Sequence, residues 1–384
     1  MAEKLRVGVI FGGQSGEHEV SLVSAQGIMN AMDKEKYEII PIGITKEGRW
    51  LTSGEPMKLL QSGGPGVSAQ VAEAQPETRE LVPRNTCTEP SRSRRDLVPG
   101  TRETGFPQVD VVFPVLHGPY GEDGTVQGLL ELADIPYVGA GVLGSALGMD
   151  KIAMKAVFTS HGLLVVEHLP LKRRDWERDP EAMMELIEKE LGYPCFIKPA
   201  NLGSSVGISK VHQRSDLAPA LELAARYDRR MLAERAVNAR EIEVSVLGND
   251  EPIASVPGEI IPCREFYDYI AKYIDDRSEL IIPADLPPEV TRRVQELAIA
   301  AFLAVDCAGM ARVDFLLDKD TGELYVGELN TIPGFTPISM YPKLWEASGI
   351  SYSELIDRLI ELALERHADN SRSETSYSPE PSDQ

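Results

Sequence analysis

Residues 311–330 have the sequence ARVDFLLDKDTGELYVGELN. Apolar and polar residues alternate through 310–317 and again through 323–329, which is the pattern of half-buried strands. The segment 319–322 between them contains glycine and other turn-forming residues. We therefore predict a β-hairpin with one apolar and one polar face.

The polar face of this hairpin carries candidate metal ligands. Strand alternation puts Arg312 and Asp314 on one face of the first strand, and it puts Glu328 beside Asn330 on the second. Magnesium prefers oxygen ligands and takes one or two carboxylates, while phosphates and water fill its other positions. Arg312 is suited to hold a carboxylate or a developing oxyanion with two hydrogen bonds. The alternative is an exposed hairpin whose charged residues form only salt bridges.

A glycine-serine loop lies upstream of the hairpin, at residues 201–205 between predicted strands 194–199 and 206–211. Such a loop can present several backbone N–H groups to a phosphate, and Lys198 on the incoming strand would add a positive charge. Residues 203–207 also spell GxSxG, but a hydrolase nucleophile needs a strand, a sharp turn and a helix. Here extended alternation follows the glycine, so we favour a phosphate-binding loop.

A second glycine pattern, GxGxxG at 139–144, is followed by an acidic residue, Glu167, at a distance typical of dinucleotide-binding proteins. The strand before it is short and follows Pro136, whereas a Rossmann fold opens with a long strand and continues with several βα units. We therefore interpret these glycines as a turn between domains.

The N-terminal part alternates strands with helices, which predicts a mostly parallel sheet. The predicted strands are 5–11, 37–44, 109–116 and 135–138, and the predicted helices are 18–32 and 124–133. Residues 53–108 contain seven prolines and six glycines, so we expect an irregular insertion. The segments after two of these strands, with Glu17 in the first and the sequence HGPYGEDG at 117–124 in the second, are at the usual position for ligands.

The remaining elements follow from capping and periodicity. A helix from Asp150 to 161 is expected to turn Ile152, Ala156 and Val157 inward, and Ser351-x-x-Glu354 is a capping box for the last helix. The other predicted elements are helices at 179–192, 216–227 and around 290–301, and strands at 230–236 and 241–247. Residues 368–384 are polar, and we predict a disordered tail.

Composition narrows the classes of protein. The chain has 384 residues, 42% of them apolar, with 39 basic and 60 acidic residues and a net charge of −21. This excludes global disorder, predicts two or three domains and argues against binding to nucleic acid or a membrane surface, both of which need a basic face. No long apolar run or signal peptide is present, so we expect a cytoplasmic protein. Cys87, Cys195, Cys263 and Cys307 are far apart, and we expect them to be reduced.

Seven ordered motifs resemble one family, D-alanine:D-alanine ligase of the ATP-grasp superfamily. They are FGGQSGEHEVS at 11–21, HGPYGEDGTVQG at 117–128, MDK at 149–151, FIKPANLGSSVGISKV at 196–211, EFYDYIAKY at 265–273, ARVDFLLD at 311–318 and GELNTIPGFTPISMYPKLW at 327–345. The resemblance implies α/β and α+β architecture, with an N-terminal parallel-sheet (pre-ATP-grasp, Rossmann-like) domain followed by the two α+β lobes of an ATP-grasp fold. The implied domains are 1–147, 148–236 and 237–367, with a mobile lid at 262–282.

The resemblance also implies roles for particular residues. In the nucleotide site, Lys151 and Lys198 would contact the phosphates of ATP and Lys272 its γ-phosphate, with Ser204 and Ser205 in the phosphate loop. The adenine and ribose contacts would come from Glu234, Arg235, Ala236, Val237 and Glu241. Asp314, Glu328 and Asn330 would bind two magnesium ions, with manganese as an alternative.

For the substrates, the resemblance implies that Glu17 holds the ammonium of the first D-alanine and is linked by hydrogen bonds to Ser204 and Tyr273. Ser339, with Met340, would lie at the second D-alanine. Arg312 and the Gly334 N–H would stabilise the oxyanion.

The implied reaction joins two D-alanine molecules through a D-alanyl phosphate and supplies a peptidoglycan precursor, and the implied assembly is a homodimer. Tyr273 favours the dipeptide product, because depsipeptide-forming relatives replace the lid tyrosine. Two alternatives remain: a ligase that accepts D-serine or D-lactate as second substrate, and a regulatory nucleotide-binding module that has lost its chemistry.

Overall fold

The computed structural model describes residues 4–62, 108–261 and 279–374. Its N-terminal sheet has the order β3-β2-β1-β4, formed by β1 (Leu5–Gly12), β2 (Tyr37–Ile44), β3 (Trp50–Leu51) and β4 (Val111–Val115). β1 is parallel to β2 and β4, as predicted, and β3 is antiparallel to β2. The predicted strand at 135–138 is reduced to one bridge between Tyr137 and Val112. Its hydrogen bonds to β4 run from the Val112 N–H to Pro136 and from the Val138 N–H to Val112.

The helices of the N-terminal part differ from prediction in two places. They are α1 (His18–Ala31), α2 (Pro56–Ser62), α3 (Thr125–Leu132) and α4 (Val142–Met149). α2 lies inside the stretch expected to be irregular, of which 63–107 are outside the described residues. α4 follows the GxGxxG glycines directly and was not predicted. The single bridge before these glycines and the helix-to-helix path after them do not form a Rossmann unit.

The central part is a second sheet, antiparallel, in the order β5-β8-β6-β7. Its strands are β5 (His168–Lys172), β6 (Cys195–Pro199), β7 (Ser209–Val211) and β8 (Arg230–Arg235). α5 (Lys151–Ser160) precedes it, and α6 (Arg173–Arg178), α7 (Pro180–Glu190) and α8 (Arg214–Tyr227) complete this part. β7 begins three residues later than predicted, because positive φ angles at Ser204, Ser205 and Gly207 keep the loop from extending. The GxSxG segment therefore joins two antiparallel strands, which is not the geometry of a nucleophile elbow.

The third sheet has six strands and contains the predicted hairpin. The path is β12-β11-β9-β13-β14, with β10 paired to β9. The strands are β9 (Ala239–Gly248), β10 (Ile253–Ala254), β11 (Gly258–Ile261), β12 (Glu279–Ile281), β13 (Gly309–Asp318) and β14 (Leu324–Asn330). α9 (Pro288–Ala304) packs its apolar residues against one face of this sheet. The other face is partly covered, because Leu247 and Met310 on it pack in one cluster with Trp345, and it carries Arg312 and Asp314 elsewhere.

α5 shows the largest departure from the predicted packing. The residues expected on its inner face were Ile152, Ala156 and Val157, but Ala156 is exposed. The buried residues are instead Lys151, Met154, Lys155 and Phe158. The apolar pattern was misleading because two lysines occupy the inward face, where periodicity arguments expect apolar residues. Met154 and Phe158 belong to the core of the third sheet, so α5 connects the central part of the chain to that sheet.

The C-terminal helices return to the N-terminal sheet. α10 (Met340–Ala347) and α11 (Tyr352–Asn370) place Trp345, Leu355 and Leu359 in one apolar cluster with Val7 and Val9 of β1. Ser351 caps α11 as predicted, by accepting a hydrogen bond from the Glu354 N–H. The helix continues three residues into the predicted tail, and 375–384 lie outside the described residues.

Among the helices that the structure describes, none combines the length and the apolar character needed to span a bilayer.

Candidate active site

A cleft between the three sheets gathers most of the predicted site residues. Glu17 enters it from the turn after β1, and Ser204 enters it from the glycine-serine loop of the central sheet. The Ser204 hydroxyl donates a hydrogen bond to Glu17 Oε1, which joins residues of two different domains. Lys151 Nζ at the start of α5 donates to the Leu202 carbonyl at 2.9 Å and lies 3.6 Å from Glu328 Oε2 of the third sheet.

The third sheet contributes a row of carboxylates. In the ladder, Asp314 of β13 is opposite Glu328 on one side and Glu243 of β9 on the other. Arg312 makes two 2.7 Å hydrogen bonds to Asp314, and its Nε lies 3.0 Å from Glu243. Burial lowers the pKa of Arg312, but Asp314 and Glu243 outweigh it and raise the pKa well above its usual value. The guanidinium is therefore a permanent cation among carboxylates.

The metal site predicted at this position consists of Asp314, Glu328 and Asn330. Asn330 Nδ2 donates to Asp314 at 3.0 Å, so these two residues are already in contact. Within residues 4–62, 108–261 and 279–374, no cluster of three or more His, Cys, Asp or Glu is arranged to hold a metal ion by itself. Two carboxylates and an amide fit magnesium that shares its coordination with phosphates, as magnesium does in nucleotide sites.

Glu234 of β8 lies between two lysines at the back of the cleft. Its Oε1 is 2.5 Å from Lys198 Nζ on β6, and its Oε2 is 2.6 Å from Lys155 Nζ on α5. Burial raises the pKa of Glu234, but the two lysines outweigh it and lower the pKa to about 2. Glu234 is therefore ionised at neutral pH, and Lys198 is positioned at the base of the glycine-serine loop.

The glycine-serine loop is fixed at its first residue. The backbone N–H and the side-chain amide of Asn201 both donate to Asp228 Oδ2, at 2.9 and 3.0 Å. Asp228 Oδ1 accepts from the Arg230 N–H at 3.0 Å, and the Arg230 guanidinium binds Asp150, the N-cap of α5. The loop and the helix that carries Lys151 are thus held by one network.

The Glu17 carboxylate lies in a narrow polar pocket. A Cβ atom added to Gly118 or Gly203 would approach Glu17 Oε2 to 3.1 or 3.0 Å, so both chain segments pass close to it. His117 Nδ1 lies 3.1 Å from the Ile332 carbonyl oxygen, and its buried Nε2 has no hydrogen-bond partner in the described part of the chain. Burial lowers the pKa of His117, which keeps the imidazole neutral. A buried carboxylate beside an unpaired imidazole nitrogen fits a substrate ammonium.

Gly334 and Ser339 lie together after β14. A Cβ atom on Gly334 would be 2.7 Å from Ser339 Oγ, so only glycine fits there without a shift. Ser339 Oγ accepts from the Thr336 N–H at 3.0 Å. Met340 is buried in an apolar cluster with Ile260 and Leu344, so its side chain packs in the core.

The predicted adenine and ribose contacts are only partly assembled. The Arg235 side chain binds Glu167 at 2.9 Å. The backbone N–H groups of Arg235 and Ala236 donate to the Glu167 and Pro194 carbonyls. Val237 is in the connection from β8 to β9, and Glu241 is on β9 two residues before Glu243. Lys272 and Tyr273 lie outside the described residues.

Comparison with known proteins identifies the family. Residues 6–140 match the family model described as D-ala D-ala ligase N-terminus, and residues 157–361 match the one described as D-ala D-ala ligase C-terminus. The chain belongs to the D-alanine–D-alanine ligase family. This makes it an ATP-dependent ligase. The N-terminal parallel sheet followed by two further sheets agrees with the pre-ATP-grasp domain and the two ATP-grasp lobes that the resemblance implied.

Individual relatives agree over their full length. The chain is 49% identical to the D-alanine–D-alanine ligase of Natranaerobius thermophilus, over 98% of this chain and 99% of the relative. It is 55% identical to that of Thermoanaerobacter pseudethanolicus, over 96% and 99%. Among solved structures, the D-alanine-D-alanine ligase of Coxiella burnetii has a TM-score of 0.77 at 39% identity, with 97% of each chain covered. The VanG D-Ala:D-Ser ligase of Enterococcus faecalis has the same TM-score and identity, with 94% of this chain and 100% of that chain covered.

Four residues of this ligase cleft were not assigned a role from sequence: His117, Lys155, Asp228 and Glu243. The sequence placed the segment 117–124 at the usual ligand position after a parallel strand, but it did not single out His117 within that segment. Glu243 is two residues after Glu241, so strand alternation places both on the cleft face. No local sequence pattern indicates a role for Lys155 or Asp228, because the residues that they bind are distant in the sequence.

Proposed function

We propose that the cleft joins two D-alanine molecules to D-alanyl-D-alanine, with conversion of ATP to ADP and phosphate, and so supplies a peptidoglycan precursor. The observation that carries this proposal is the contact between Glu17 and Ser204. It puts a buried carboxylate, which suits an amino-acid ammonium, directly against a loop that suits the phosphates of ATP. Family membership supports the same reaction.

The nucleotide would bind between the central and third sheets. Lys151, Lys198 and the loop with Ser204 and Ser205 would hold its phosphates. Glu234, Arg235, Val237 and Glu241 would contact the adenine and ribose, and Lys272 is assigned to the γ-phosphate from sequence alone. Lysines already directed into the cleft, with partners that are carboxylates of the same site, support this assignment.

Asp314, Glu328 and Asn330 would hold two magnesium ions, with manganese as an alternative. Bound there, the metal would offset negative charge that develops on the phosphates during transfer. The ladder supports this set, because it puts Asp314 opposite Glu328 and Arg312 opposite Asn330. Lys151 beside Glu328 would link the phosphates to the same face.

The residues of the chain account for the chemical steps. A carboxylate is a poor electrophile, so the first D-alanine, held through its ammonium by Glu17, would be activated as an acyl phosphate. The amine of the second D-alanine, held near Ser339, would then attack the activated carbonyl. Arg312 and the Gly334 N–H would stabilise the oxyanion, and loss of phosphate leaves the dipeptide. Exclusion of water protects the acyl phosphate, and for this role we retain the sequence assignment of Tyr273 within the segment 262–282.

The second substrate needs a direct comparison, because one structural relative is named a D-Ala:D-Ser ligase. The test measures phosphate release with ATP and magnesium, in the presence of D-alanine, L-alanine, D-alanine with D-serine, D-alanine with D-lactate, or no amino acid. Products are identified by mass. We expect release with D-alanine and a D-alanyl-D-alanine product. A dominant D-alanyl-D-serine or D-alanyl-D-lactate product would contradict the proposed specificity, and ATP binding without turnover would favour a regulatory module.

We also propose a homodimer in the cytoplasm, where ATP is available. α3 and the start of α4 expose four large apolar side chains, from Leu129, Leu132, Val142 and Leu143. The two helices meet at the start of α3, because a Cβ atom on Gly124 would be 2.9 Å from the Val142 carbonyl. Exposed apolar side chains on neighbouring elements are typical of protein interfaces. Sedimentation should show a dimer that Leu132→Glu converts to monomer, and an unchanged mass for that variant would contradict this interface.

The net charge of −21 supports the absence of nucleic-acid partners.

A further inference from the structure

Lys155 is a buried cation that the proposed reaction does not use. Its side chain is 2% exposed, and it projects from the inward face of α5, one helical turn after Lys151. Lysine is almost never fully buried unless it is paired, because removing its charge from water costs several kcal/mol. The apolar residues on the same face, Met154 and Phe158, would tolerate an apolar side chain at this position. A lysine here therefore needs a reason beyond packing.

The partner of Lys155 is Glu234, which it shares with Lys198. The two lysines bind different oxygens of the same carboxylate, Lys155 at 2.6 Å and Lys198 at 2.5 Å. They differ in exposure, since the Lys198 side chain is 19% exposed at the cleft and Lys155 is 2% exposed. Lys198 can therefore reach a ligand in the cleft, whereas Lys155 is enclosed behind the carboxylate.

The arrangement has an electrostatic consequence when phosphates arrive. If Lys198 were the sole partner of Glu234, its movement toward a phosphate would leave a buried carboxylate without a counter-ion. An uncompensated buried charge is strongly unfavourable, so Glu234 would compete with the phosphates for Lys198. Lys155 removes this competition, because it stays bound to the other carboxylate oxygen.

We propose that Lys155 is a positioning residue that keeps Glu234 paired and thereby makes Lys198 available to nucleotide phosphates. This inference rests on the proposed nucleotide site, but it assigns to Lys155 a role in phosphate affinity that the proposed function does not include. It separates two parts of the ligand: the phosphates depend on Lys155 through Lys198, whereas the adenosine moiety depends on it only through the proposed contact of Glu234, which ADP and adenosine share.

The experiment compares ADP with adenosine on the full chain. Binding of each is measured by calorimetry or competition, for wild type and Lys155→Met. Methionine keeps the length and fills the apolar surroundings without the charge. We expect the ratio of ADP affinity to adenosine affinity to fall about tenfold or more, the size of a lost charge-assisted contact. Any effect that passes through the contact of Glu234 with adenosine is common to both ligands and cancels in this ratio. Equal losses for both ligands, or no loss for ADP, would overturn the proposal.

A core variant on the same helix face provides the matched control. Phe158→Leu removes packing from the cluster that contains Met154 but leaves all three charges in place. We expect it to lower the melting temperature and to leave the ratio of ADP to adenosine affinity unchanged. If Phe158→Leu changed the ratio of ADP affinity to adenosine affinity, loss of stability alone would be enough to alter that ratio. This result would also overturn the proposal.

If Lys155→Met folds poorly, the proposal can still be tested by making the same change in the Glu234→Gln protein. Removing both members of a buried ion pair is often neutral for stability, so Lys155→Met combined with Glu234→Gln is expected to fold. Lys155 should then have no effect on phosphates, since the neutral amide that replaces the Glu234 carboxylate does not compete for Lys198. We expect ADP affinities of the double variant and of Glu234→Gln alone to agree within about threefold. A larger difference would overturn the proposal, whereas wild-type protein that fails to bind ADP would contradict the nucleotide site itself.

Discussion

Arg312, Asp314 and Glu328 form the residue-scale centre of the cleft. The ladder fixes their spacing, because Asp314 and Glu328 are direct neighbours across β13 and β14. Arg312 is held by Asp314 and Glu243 from two strands, which orients its guanidinium before substrate arrives. Orientation of this kind lowers the cost of stabilising an oxyanion, because no rearrangement is needed during the reaction.

Glu328→Gln tests the metal assignment at this scale. The change keeps the shape of the side chain but removes the charge that a magnesium ion needs, so we expect turnover to fall by about a hundredfold or more. The fold should be unchanged, since the side chain is one-third exposed. Phosphate release is measured across magnesium concentrations, with circular dichroism as the fold check. Glu323→Gln, just before β14 and exposed, is the control, and wild-type turnover of Glu328→Gln at saturating magnesium would refute the assignment.

Glu122→Gln tests the electrostatics of the Glu17 pocket. Burial and the charge of Glu17 raise the pKa of Glu122 from 4.5 to about 8. Between about pH 4.5 and about pH 8, the Glu122 carboxyl is protonated in the folded protein but ionised in the unfolded chain. Its contribution to the free energy of unfolding therefore falls as the pH rises through this range. The glutamine amide has no such dependence. The melting temperature of Glu122→Gln relative to wild type should therefore increase from about pH 5 to about pH 8. A constant difference over that range would contradict the raised pKa.

At the scale of elements, the glycine-serine loop and α5 form one unit. Asp228 holds Asn201 at the start of the loop, and Arg230 continues the network to Asp150 at the N-cap of α5. A loop fixed before ligand binding needs less ordering when the phosphates arrive. We therefore expect Asp228, the C-cap of α8, to affect nucleotide affinity, although it has no assigned contact with the nucleotide.

Asp228→Ala tests this connection. Loss of two hydrogen bonds to Asn201 should free the start of the loop and raise the KM for ATP by about tenfold, with a smaller change in kcat. Asp216→Ala on α8 is the matched control, because Asp216 accepts a backbone hydrogen bond from His212 away from the loop. Initial rates at varied ATP measure both constants. An unchanged KM for Asp228→Ala would show that the loop is ordered without this anchor.

Predictions from sequence succeeded for elements whose pattern is local. The β13–β14 hairpin was predicted because alternation with period two continues through both strands. α4 was missed, because it is short and its glycines Gly144 and Gly148 lower its helical propensity. The inward face of α5 was predicted wrongly, because Lys151 and Lys155 are buried by partners on β14 and β8 that helical periodicity cannot detect.

At the scale of the whole molecule, the two ends of the chain share a core. Leu355 and Leu359 of α11 pack in one cluster with Val7 and Val9 of β1. The N-terminal sheet therefore does not complete its core without the C-terminal helix. This couples the first domain to the last and supports the alignment of Glu17 with the third sheet.

Leu359→Ala tests this coupling. The side chain is fully buried, so truncation should lower the free energy of unfolding by about 2 to 5 kcal/mol. Because the cluster belongs to both ends of the chain, we expect one cooperative transition at a lower temperature. Leu186→Ala on α7 is the control, since Leu186 is 44% exposed, and its cost should be within about 1 kcal/mol. Calorimetry distinguishes the outcomes, and separate melting of an N-terminal unit in Leu359→Ala would contradict the shared core.

The amino-acid sequence was enough to predict the family, the hairpin with its acidic face, the glycine-serine loop and the capped last helix. These depend on residue order and short periods, which are present in the chain before it folds. The folded structure was needed to show that Glu17 contacts Ser204, that Lys155 and Lys198 share Glu234, and that α11 completes the N-terminal core. Such contacts join residues far apart in the chain, and their energies depend on burial and charge that arise once the sheets have packed together.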